Sequence, residues 1–196
     1  LEKGLGLVND VFQEENLNRL NGRESIGHVR YSTQGDDIFK NVQPFLVNTG
    51  KGWIALAHNG NLTNAVKLKR ELEREGAIFQ TTSDTEIILH LIARSKKESW
   101  ADRITEALRQ VKGAFSLLFL TDRLLIAVRD SYGFRPLILG KLKESWVVAS
   151  ESCAFDLIGG EFIREIEPGE MVVIGGNDIQ SLKPLAQTPI RQCIFD

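Results

Sequence analysis

Three short polar segments carry the residue types that could bind and activate a small substrate, and the first contains Arg30. It lies in GHVRYST (residues 27–33), which is predicted to be a strand. Alternation puts Arg30 and Ser32 on one side and Tyr31 and Thr33 on the other, so the strand is not plainly amphipathic. An arginine at a partly buried sheet edge needs an anion, and a ligand carboxylate held bidentately is one solution. The alternative is a solvated arginine on an exposed strand face.

The second segment is HNGNL (residues 58–62), directly after an apolar run. Taken as sequence alone, an Asn-Gly turn is favoured. The functional interpretation is that the Asn59 amide points at a ligand while Gly60 lets its backbone N–H approach closely. Two such donors form an oxyanion hole for acyl transfer.

The third segment is TTSDTEI, in which Asp84 is predicted to fall on the first turn of a helix. The S-x-x-E spacing from Ser83 to Glu86 is typical of a capping box. As a capping acid Asp84 needs no further role. As a ligand group it could accept hydrogen bonds from a substrate ammonium.

Motifs for other chemistries are missing from the sequence. It contains no C-x-x-C, no H-E-x-x-H, no Walker loop and no G-x-S-x-G. Its three histidines, His28, His58 and His90, are far apart in sequence and do not predict a metal site. Scattered histidines more often satisfy local hydrogen bonds.

The elements that must position these segments are helices in the first half and strands in the second. Apolar spacing predicts helices over residues 11–20, 63–75 and 100–112, and another beginning at Ser83, with Gly76 ending the second of them. Strands are expected at residues 27–33 and 52–60. Five more β-rich runs follow Gly113: AFSLLFLT, RLLIAVRD, PLILGKL, SWVVASE and GEMVVIG.

This order predicts an α+β fold rather than a doubly wound sheet, because strands and helices do not alternate regularly. Short connections between neighbouring β-runs imply antiparallel hairpins. The apolar strands look buried on both faces. We therefore expect sheets sandwiched between helical layers.

Composition excludes several classes of protein. Apolar residues make up 42% of the 196 residues, charged residues 26%, and the formal net charge is -2, which argues against a nucleic-acid binder. No apolar run approaches the roughly 20 residues of a membrane helix. Two cysteines, Cys153 and Cys193, argue against a secreted disulfide framework and favour the cytosol or an organelle. The opening at Leu1 and the end at RQCIFD indicate a fragment of a longer protein.

Six segments together resemble one known family. GHVRYST, LAHNGNLTNA, TTSDTEI, RDSYGFRPL, ASESCAFD and IEPGEMVVI are similar, in order, to the glutaminase domain of the amidophosphoribosyltransferases, which act in purine synthesis. Glucosamine-6-phosphate synthases and asparagine synthetases have the same type of domain and are less similar. The resemblance implies a four-layer αββα N-terminal-nucleophile hydrolase fold. It also implies a glutaminase domain over residues 1–190 and the start of a phosphoribosyltransferase domain at 191–196.

The resemblance further implies roles for particular residues. Arg30, with Thr33, would bind the α-carboxylate of glutamine, and Asp84 its α-ammonium. Asn59 and the N–H of Gly60 would form the oxyanion hole. Ammonia would pass to a second domain, which uses Mg²⁺, and there displace pyrophosphate from phosphoribosylpyrophosphate. A homo-oligomer in the cytoplasm, or in the plastid stroma of a plant, is implied as well.

The departure from the family is that its nucleophile, an N-terminal cysteine, has no counterpart before Cys153. We interpret Cys153, at a predicted β-to-helix junction, as a buried structural thiol. Cys193 lies where some members of the family supply one ligand of a [4Fe–4S] cluster, although a small core residue is the alternative. Two functions stay open, a fragment of an active enzyme and a glutamine-binding module without catalysis.

Overall fold

The structure, a computed structural model, describes residues 1–30, 39–186, 188–189 and 191. The helices are α1 (Val8–Val11), α2 (Glu14–Leu17), α3 (Ala65–Arg74), α4 (Thr85–Arg94), α5 (Trp100–Leu108) and α6 (Cys153–Ile158). The strands are β1 (Phe45–Thr49), β2 (Gly52–Leu62), β3 (Gly113–Thr121), β4 (Leu125–Arg129), β5 (Ile138–Leu142), β6 (Ser145–Ala149), β7 (Glu161–Glu165), β8 (Met171–Gly175) and β9 (Asp178–Leu182). None of the helices in these ranges has the length and apolarity of a membrane span.

The strands form two antiparallel sheets. A six-stranded sheet has the order β1-β2-β3-β4-β8-β9, and a three-stranded sheet has the order β6-β5-β7. The short connections β3–β4 and β5–β6 are hairpins, as their spacing predicts, and β8–β9 forms a third. The predicted α+β class with antiparallel sheets is therefore confirmed.

The two faces of the six-stranded sheet bury different partners. Alternate residues of its central strands, such as Ile54, Leu56 and Phe119, join α3, α4 and α5 in one apolar cluster. The opposite face contributes a second cluster, which packs against the three-stranded sheet. Period-two alternation explains this, because successive side chains of a strand point to opposite faces. The central strands β3, β4 and β8 are buried on both faces, as expected, whereas the edge strand β9 is mostly exposed.

Helix α6 covers the outer face of the three-stranded sheet. Its Phe155 is buried against β5, where a Cβ on Gly140 would lie 2.9 Å from the ring. Glycine at position 140 therefore makes room for the helix. The order from one surface to the other is helices, sheet, sheet, helix, which is the predicted four-layer arrangement.

Three helix predictions are confirmed in position, and one is wrong. Helices α3, α4 and α5 fall within the predicted segments, and Gly76 adopts φ +88° just after α3, as a C′ glycine does. Residues 11–20 instead form parts of two single-turn helices, α1 and α2, with no buried residue in either. The side chain of Asn16 donates to the carbonyl of Val11 at 3.1 Å, so it competes with helical hydrogen bonding.

The strand predicted at residues 27–33 is also wrong over the part that can be judged. Residues 27–30 belong to no strand, and residues 31–33 lie outside the described residues. The premise that Arg30 alternates within a sheet edge therefore fails. Conversely, β1, β7 and β9 were not predicted. The sequences of β7 and β9 carry few apolar residues, and each of these strands is held by pairing with a more apolar neighbour, β5 or β8.

Candidate active site

One edge of β2 faces side chains instead of a strand between residues 58 and 62. Strand β1 pairs with β2 only as far as Leu56, which lies opposite Phe45. Beyond it, the N–H of His58 donates to Oε1 of Gln43 at 2.7 Å, and the N–H of Leu62 donates to Oδ2 of Asp84 at 2.7 Å. Backbone N–H groups alternate between the two edges of a strand. The N–H of Gly60 therefore points into the gap between these two side chains.

Gly60 is a position that only glycine can occupy. It lies opposite Phe115 of β3, with φ +152°. A Cβ placed on it would lie 2.1 Å from the carbonyl oxygen of Ala114, far inside van der Waals contact. The Asn-Gly turn that the sequence alone favours is wrong, because both residues continue β2 in register with β3.

The side chain of Asn59 is available for a ligand. It is half-buried, and strand alternation puts it on the face of the sheet that also carries Ala55, opposite the helices. Within the described part of the chain its amide makes no hydrogen bond. Asn59 therefore has two donor hydrogens and an acceptor to offer beside the N–H of Gly60.

Asp84 occupies the N-cap position of α4, but its carboxylate does not cap the helix. Its Oδ2 accepts the Leu62 N–H, whereas Oδ1 lies 3.8 Å from Nδ1 of His58. The side chain is 21% exposed. One carboxylate oxygen thus binds β2, and the other remains open to a cation beside Gly60.

The predicted capping box is wrong in its hydrogen bonds. The carboxylate of Glu86 accepts the N–H groups of Gln80 and Thr81, at 2.8 Å each, instead of reaching back to Ser83. The hydroxyl of Ser83 accepts the N–H of Thr85 at 3.3 Å. The extended segment before α4 offers Glu86 unpaired donors that a capping box would not use.

His58 is a buried, neutral histidine, only 3% exposed. Desolvation lowers its pKa below the ordinary value, although the Asp84 carboxylate and the Ala114 carbonyl act in the opposite direction. Its Nδ1 lies 3.0 Å from Oγ1 of Thr85, which already accepts the Ser83 hydroxyl proton. His58 therefore holds the start of α4, with Asp84, against β2.

His28 contacts the other side of the same peptide. Its Nε2 lies 3.0 Å from the carbonyl oxygen of His58, which Nε2 of Gln43 also approaches at 3.4 Å. Desolvation lowers the pKa of His28, and the nearby Arg30 lowers it further, while the contact with the His58 carbonyl raises it. A neutral His28 therefore donates from Nε2. Two side chains complete the edge of β2 where β1 has ended.

Arg30 is exposed and lines a cavity of about 1230 Å³. The cavity separates the first 30 residues from the sheet face that carries Ala55 and Leu120. The arginine makes no ion pair with a described residue, so its guanidinium is free for an anion. Thr33, predicted to assist it, lies outside the described residues.

The structure thus brings Asn59, Gly60 and Asp84 together, whereas Arg30 is connected to β2 only through His28, two residues before it, which hydrogen-bonds the His58 carbonyl. The edge of β2 therefore carries a carboxylate oxygen, a side-chain amide and a backbone N–H within a few residues of one another. A family model described as "Glutamine amidotransferase domain" matches residues 28–156. The chain belongs to the glutamine amidotransferase domain family.

Relatives of this glutamine amidotransferase domain share close to half of its residues. The chain is 50% identical to a chloroplastic amidophosphoribosyltransferase of Glycine max over 195 residues, which are 98% of the chain and 34% of that protein. It is 47% identical to the amidophosphoribosyltransferase of Bacillus subtilis over 180 residues, 91% of the chain and 38% of that protein. The chain therefore spans well under half the length of these relatives.

A solved structure agrees with the fold. The glutamine phosphoribosylpyrophosphate amidotransferase of B. subtilis, complexed with ADP and GMP, matches with a TM-score of 0.92 and 44% identity. The match covers 98% of this chain and 42% of that one. The α+β sandwich is the fold of the glutaminase part of that enzyme.

Sequence reasoning missed the supporting role of Gln43, His28 and His58 in this amidotransferase domain. The two histidines are 30 residues apart yet in contact, although they form no metal site: the described residues contain no group of His, Cys, Asp and Glu suited to a metal. The sequence did contain a signal for this role, because each histidine is close to a candidate site residue. His58 directly precedes Asn59, and His28 lies two residues before Arg30.

The interpretation of Cys153 as a buried thiol is wrong. Its side chain is exposed at the start of α6, where Sγ lies 3.6 Å from a carboxylate oxygen of Glu151. Phe155, not Cys153, is the residue of α6 that faces β5. Cys193, the suggested cluster ligand, lies outside the described residues.

Proposed function

We propose that the chain is the glutaminase part of an amidophosphoribosyltransferase. It hydrolyses glutamine, and the ammonia converts phosphoribosylpyrophosphate to 5-phosphoribosylamine in the first step of de novo purine synthesis. The amidophosphoribosyltransferases related to nearly the whole chain support this above a sister enzyme such as glucosamine-6-phosphate synthase.

The observation that carries the proposal is the N–H of Gly60, which has no partner among the described residues and points off β2 between the side chains of Gln43 and Asp84. Glutamine has a cationic and an anionic group at one end and a carboxamide at the other. Asp84 binds the α-ammonium through Oδ1. Arg30 and Thr33 bind the α-carboxylate, in a charge-assisted pair.

The carboxamide end then lies at Asn59 and Gly60. The thiol of an N-terminal cysteine, which is not among these 196 residues, gives its proton to its own α-amino group as its sulfur attacks the carboxamide carbon. The negative charge that develops on oxygen is stabilised by the Asn59 amide and the Gly60 N–H. Collapse of the adduct expels ammonia and leaves a thioester, which water hydrolyses to glutamate.

Ammonia is used in a second domain. We propose that the glutaminase domain covers residues 1–190 and that residues 191–196 begin the phosphoribosyltransferase domain. There ammonia displaces pyrophosphate from phosphoribosylpyrophosphate. Mg²⁺ bound in that domain would neutralise charge on the leaving pyrophosphate. We further propose a homo-oligomer in the cytoplasm or, in a plant, in the plastid stroma; the Glycine max relative is named chloroplastic.

Substituting Arg30 tests the carboxylate site in the full-length protein. Arg30→Lys replaces a planar fork with a single ammonium, which loses roughly 1.5–3 kcal/mol of charge-assisted bonding. We expect KM for glutamine to rise about tenfold to a hundredfold. Synthesis from added ammonia should be nearly unchanged, because it bypasses the glutamine site.

Arg23→Lys is the matched control, since Arg23 is exposed in the same segment. Equal loss of glutamine-dependent and ammonia-dependent synthesis on Arg30→Lys would make Arg30 structural. The other candidate function is a glutamine-binding module without catalysis. Sequencing the amino terminus of the mature full-length protein distinguishes it from the enzyme. A terminal cysteine with a free amine is expected.

We also propose Cys193 as one ligand of a [4Fe–4S] cluster. Such clusters are typically held by four cysteine thiolates, and this chain has only Cys153 and Cys193. The remaining ligands would therefore come from other parts of the full-length protein. Full-length protein purified without oxygen should be brown, and Cys193→Ser should lose iron. Colourless, iron-free wild-type protein would exclude the cluster.

A further inference from the structure

Among the described residues, one side chain hydrogen-bonds the segment that carries Arg30 to the rest of the molecule. Residues 21–30 form no helix or strand. Within the described part of the chain, the bond from Nε2 of His28 to the carbonyl of His58 is the only hydrogen bond that any of these ten residues makes. Arg30 itself is exposed and has no ion-pair partner there. Its position relative to β2 therefore depends on a residue two places before it.

The carbonyl that accepts this hydrogen bond lies where it can fix the position of Arg30 relative to Asn59 and Gly60. The His58 carbonyl belongs to the peptide that leads into Asn59, and Gln43 and β3 hold the same stretch of β2. The acceptor is thus rigid, whereas the donor is on the loosely held segment. Desolvation and the neighbouring Arg30 favour the neutral ring, which donates from Nε2. The bond consequently sets the position of residues 21–30, and it does not set the position of β2.

We propose that His28 is a positioning residue for glutamine, which sets the distance between Arg30 and the Asn59–Gly60 donors through its bond to the His58 carbonyl. The inference rests on the proposed function. It adds a residue that contacts neither the carboxamide nor the α-carboxylate. Its effect falls on binding of the amino-acid end, and so on KM, because the donors on β2 are held independently.

Two substitutions in the full-length protein test this. His28→Leu removes the donor and retains an apolar side chain, and KM for glutamine should rise about threefold to tenfold, the loss of one neutral hydrogen bond. His28→Gln retains an N–H donor near the position of Nε2 and should restore most of the affinity. Ammonia-dependent synthesis should be unchanged in both, which also shows that the variants fold. If His28→Leu does not fold, His28→Asn, whose amide is too short to reach the carbonyl, takes its place.

A double substitution separates positioning from general stability. If His28 acts through Arg30, then adding His28→Leu to Arg30→Lys should raise KM by much less than it does in the wild type. Four outcomes would each overturn the inference. His28→Leu could raise KM as much in the Arg30→Lys background as in the wild type, or it could leave KM unchanged. His28→Gln could fail to restore binding, or ammonia-dependent synthesis could fall in parallel. If Arg30→Lys alone leaves KM for glutamine unaltered, the proposed function fails instead, so the two failures are distinguishable.

Discussion

At the scale of single residues, the adjacent Asn59 and Gly60 each offer an N–H donor, one from a side chain and one from the backbone. The Gly60 donor belongs to the backbone and cannot be removed by substitution, and any Cβ there would collide with Ala114. The Asn59 donor is a side chain that can be removed without touching the ladder between β2 and β3. Asn59 is therefore the position at which oxyanion stabilisation can be measured separately from folding.

We expect Asn59→Ala in the full-length protein to lower kcat for glutamine by about 10²–10³, with little change in KM. The reason is that the oxyanion exists only after attack, so the lost donor acts on the transition state. Steady-state kinetics with glutamine measure this, and Asn61→Ala on the same strand is the control, since Asn61 is exposed and has no assigned role. An effect confined to KM would place Asn59 in ground-state binding.

At the scale of elements, carboxylates hold strand ends where no further strand is available. Asp84 does this for β2, and Glu170 does it where β7 turns into β8. Glu170 is 1% exposed, and its oxygens accept two hydrogen bonds from Arg164, at 2.8 and 2.6 Å, and one from Ser181 at 2.7 Å. The N–H of Glu167 also donates to it at 2.7 Å. This carboxylate connects all three strands from β7 to β9.

The Glu170 carboxylate should make stability depend on pH. Burial by itself raises its pKa, but the hydrogen bonds from Arg164, Ser181 and Glu167 outweigh burial and hold the pKa below the ordinary value. Because the folded pKa is depressed, the stabilisation is complete above the unfolded pKa of about 4.3 and is lost as pH falls through the folded pKa.

Glu170→Gln should therefore lower the free energy of unfolding by roughly 1.5–3 kcal/mol at pH 7, and by progressively less in acid. Urea unfolding of the variant and the wild type at several pH values measures the difference. Glu15→Gln, which removes an exposed ion pair with Arg19, should change stability by less than about 1 kcal/mol. An equal effect of the two substitutions, or no pH dependence, would show that Glu170 contributes no more than a surface charge.

At the scale of the whole molecule, the layers separate the exposed thiol from the candidate site. Cys153 begins α6 on the outer face of the three-stranded sheet, whereas Asn59 and Gly60 lie on β2 of the six-stranded sheet. A nucleophile has to come within about 3–3.5 Å of the carbon that it attacks. Cys153 is thus on the wrong side of a sheet to serve as the nucleophile.

The 196-residue chain by itself should accordingly release no ammonia from glutamine. A glutaminase assay on this chain, beside a longer protein that begins with the family's N-terminal cysteine, measures this. The longer protein should be active and should lose activity on alkylation of its terminal thiol. Ammonia released by the 196-residue chain and abolished by alkylating Cys153 or Cys193 would contradict the assignment of the whole site.

The sequence by itself determined the features that depend on local pattern. Short connections between β-rich runs after Gly113 predicted antiparallel hairpins, because a connection of a few residues can only return the chain beside itself. The stripe before Gly76 predicted α3, because burial of one helix face follows directly from spacing. Resemblance to a family pointed to Arg30, Asn59, Gly60 and Asp84. Local pattern failed for residues 11–20, where an apolar spacing exists but none of the residues is fully buried.

Only the tertiary structure decided which groups meet. Asp84 binds the Leu62 N–H across 22 residues, and His28 binds the His58 carbonyl across 30. No local periodicity encodes either contact, because each depends on how α4 and the first 30 residues pack against β2. The same packing shows that Asn59 and Gly60 continue a strand instead of forming a turn. A strand edge left unpaired by β1 makes the Gly60 N–H available, and that edge exists only once the sheet has formed.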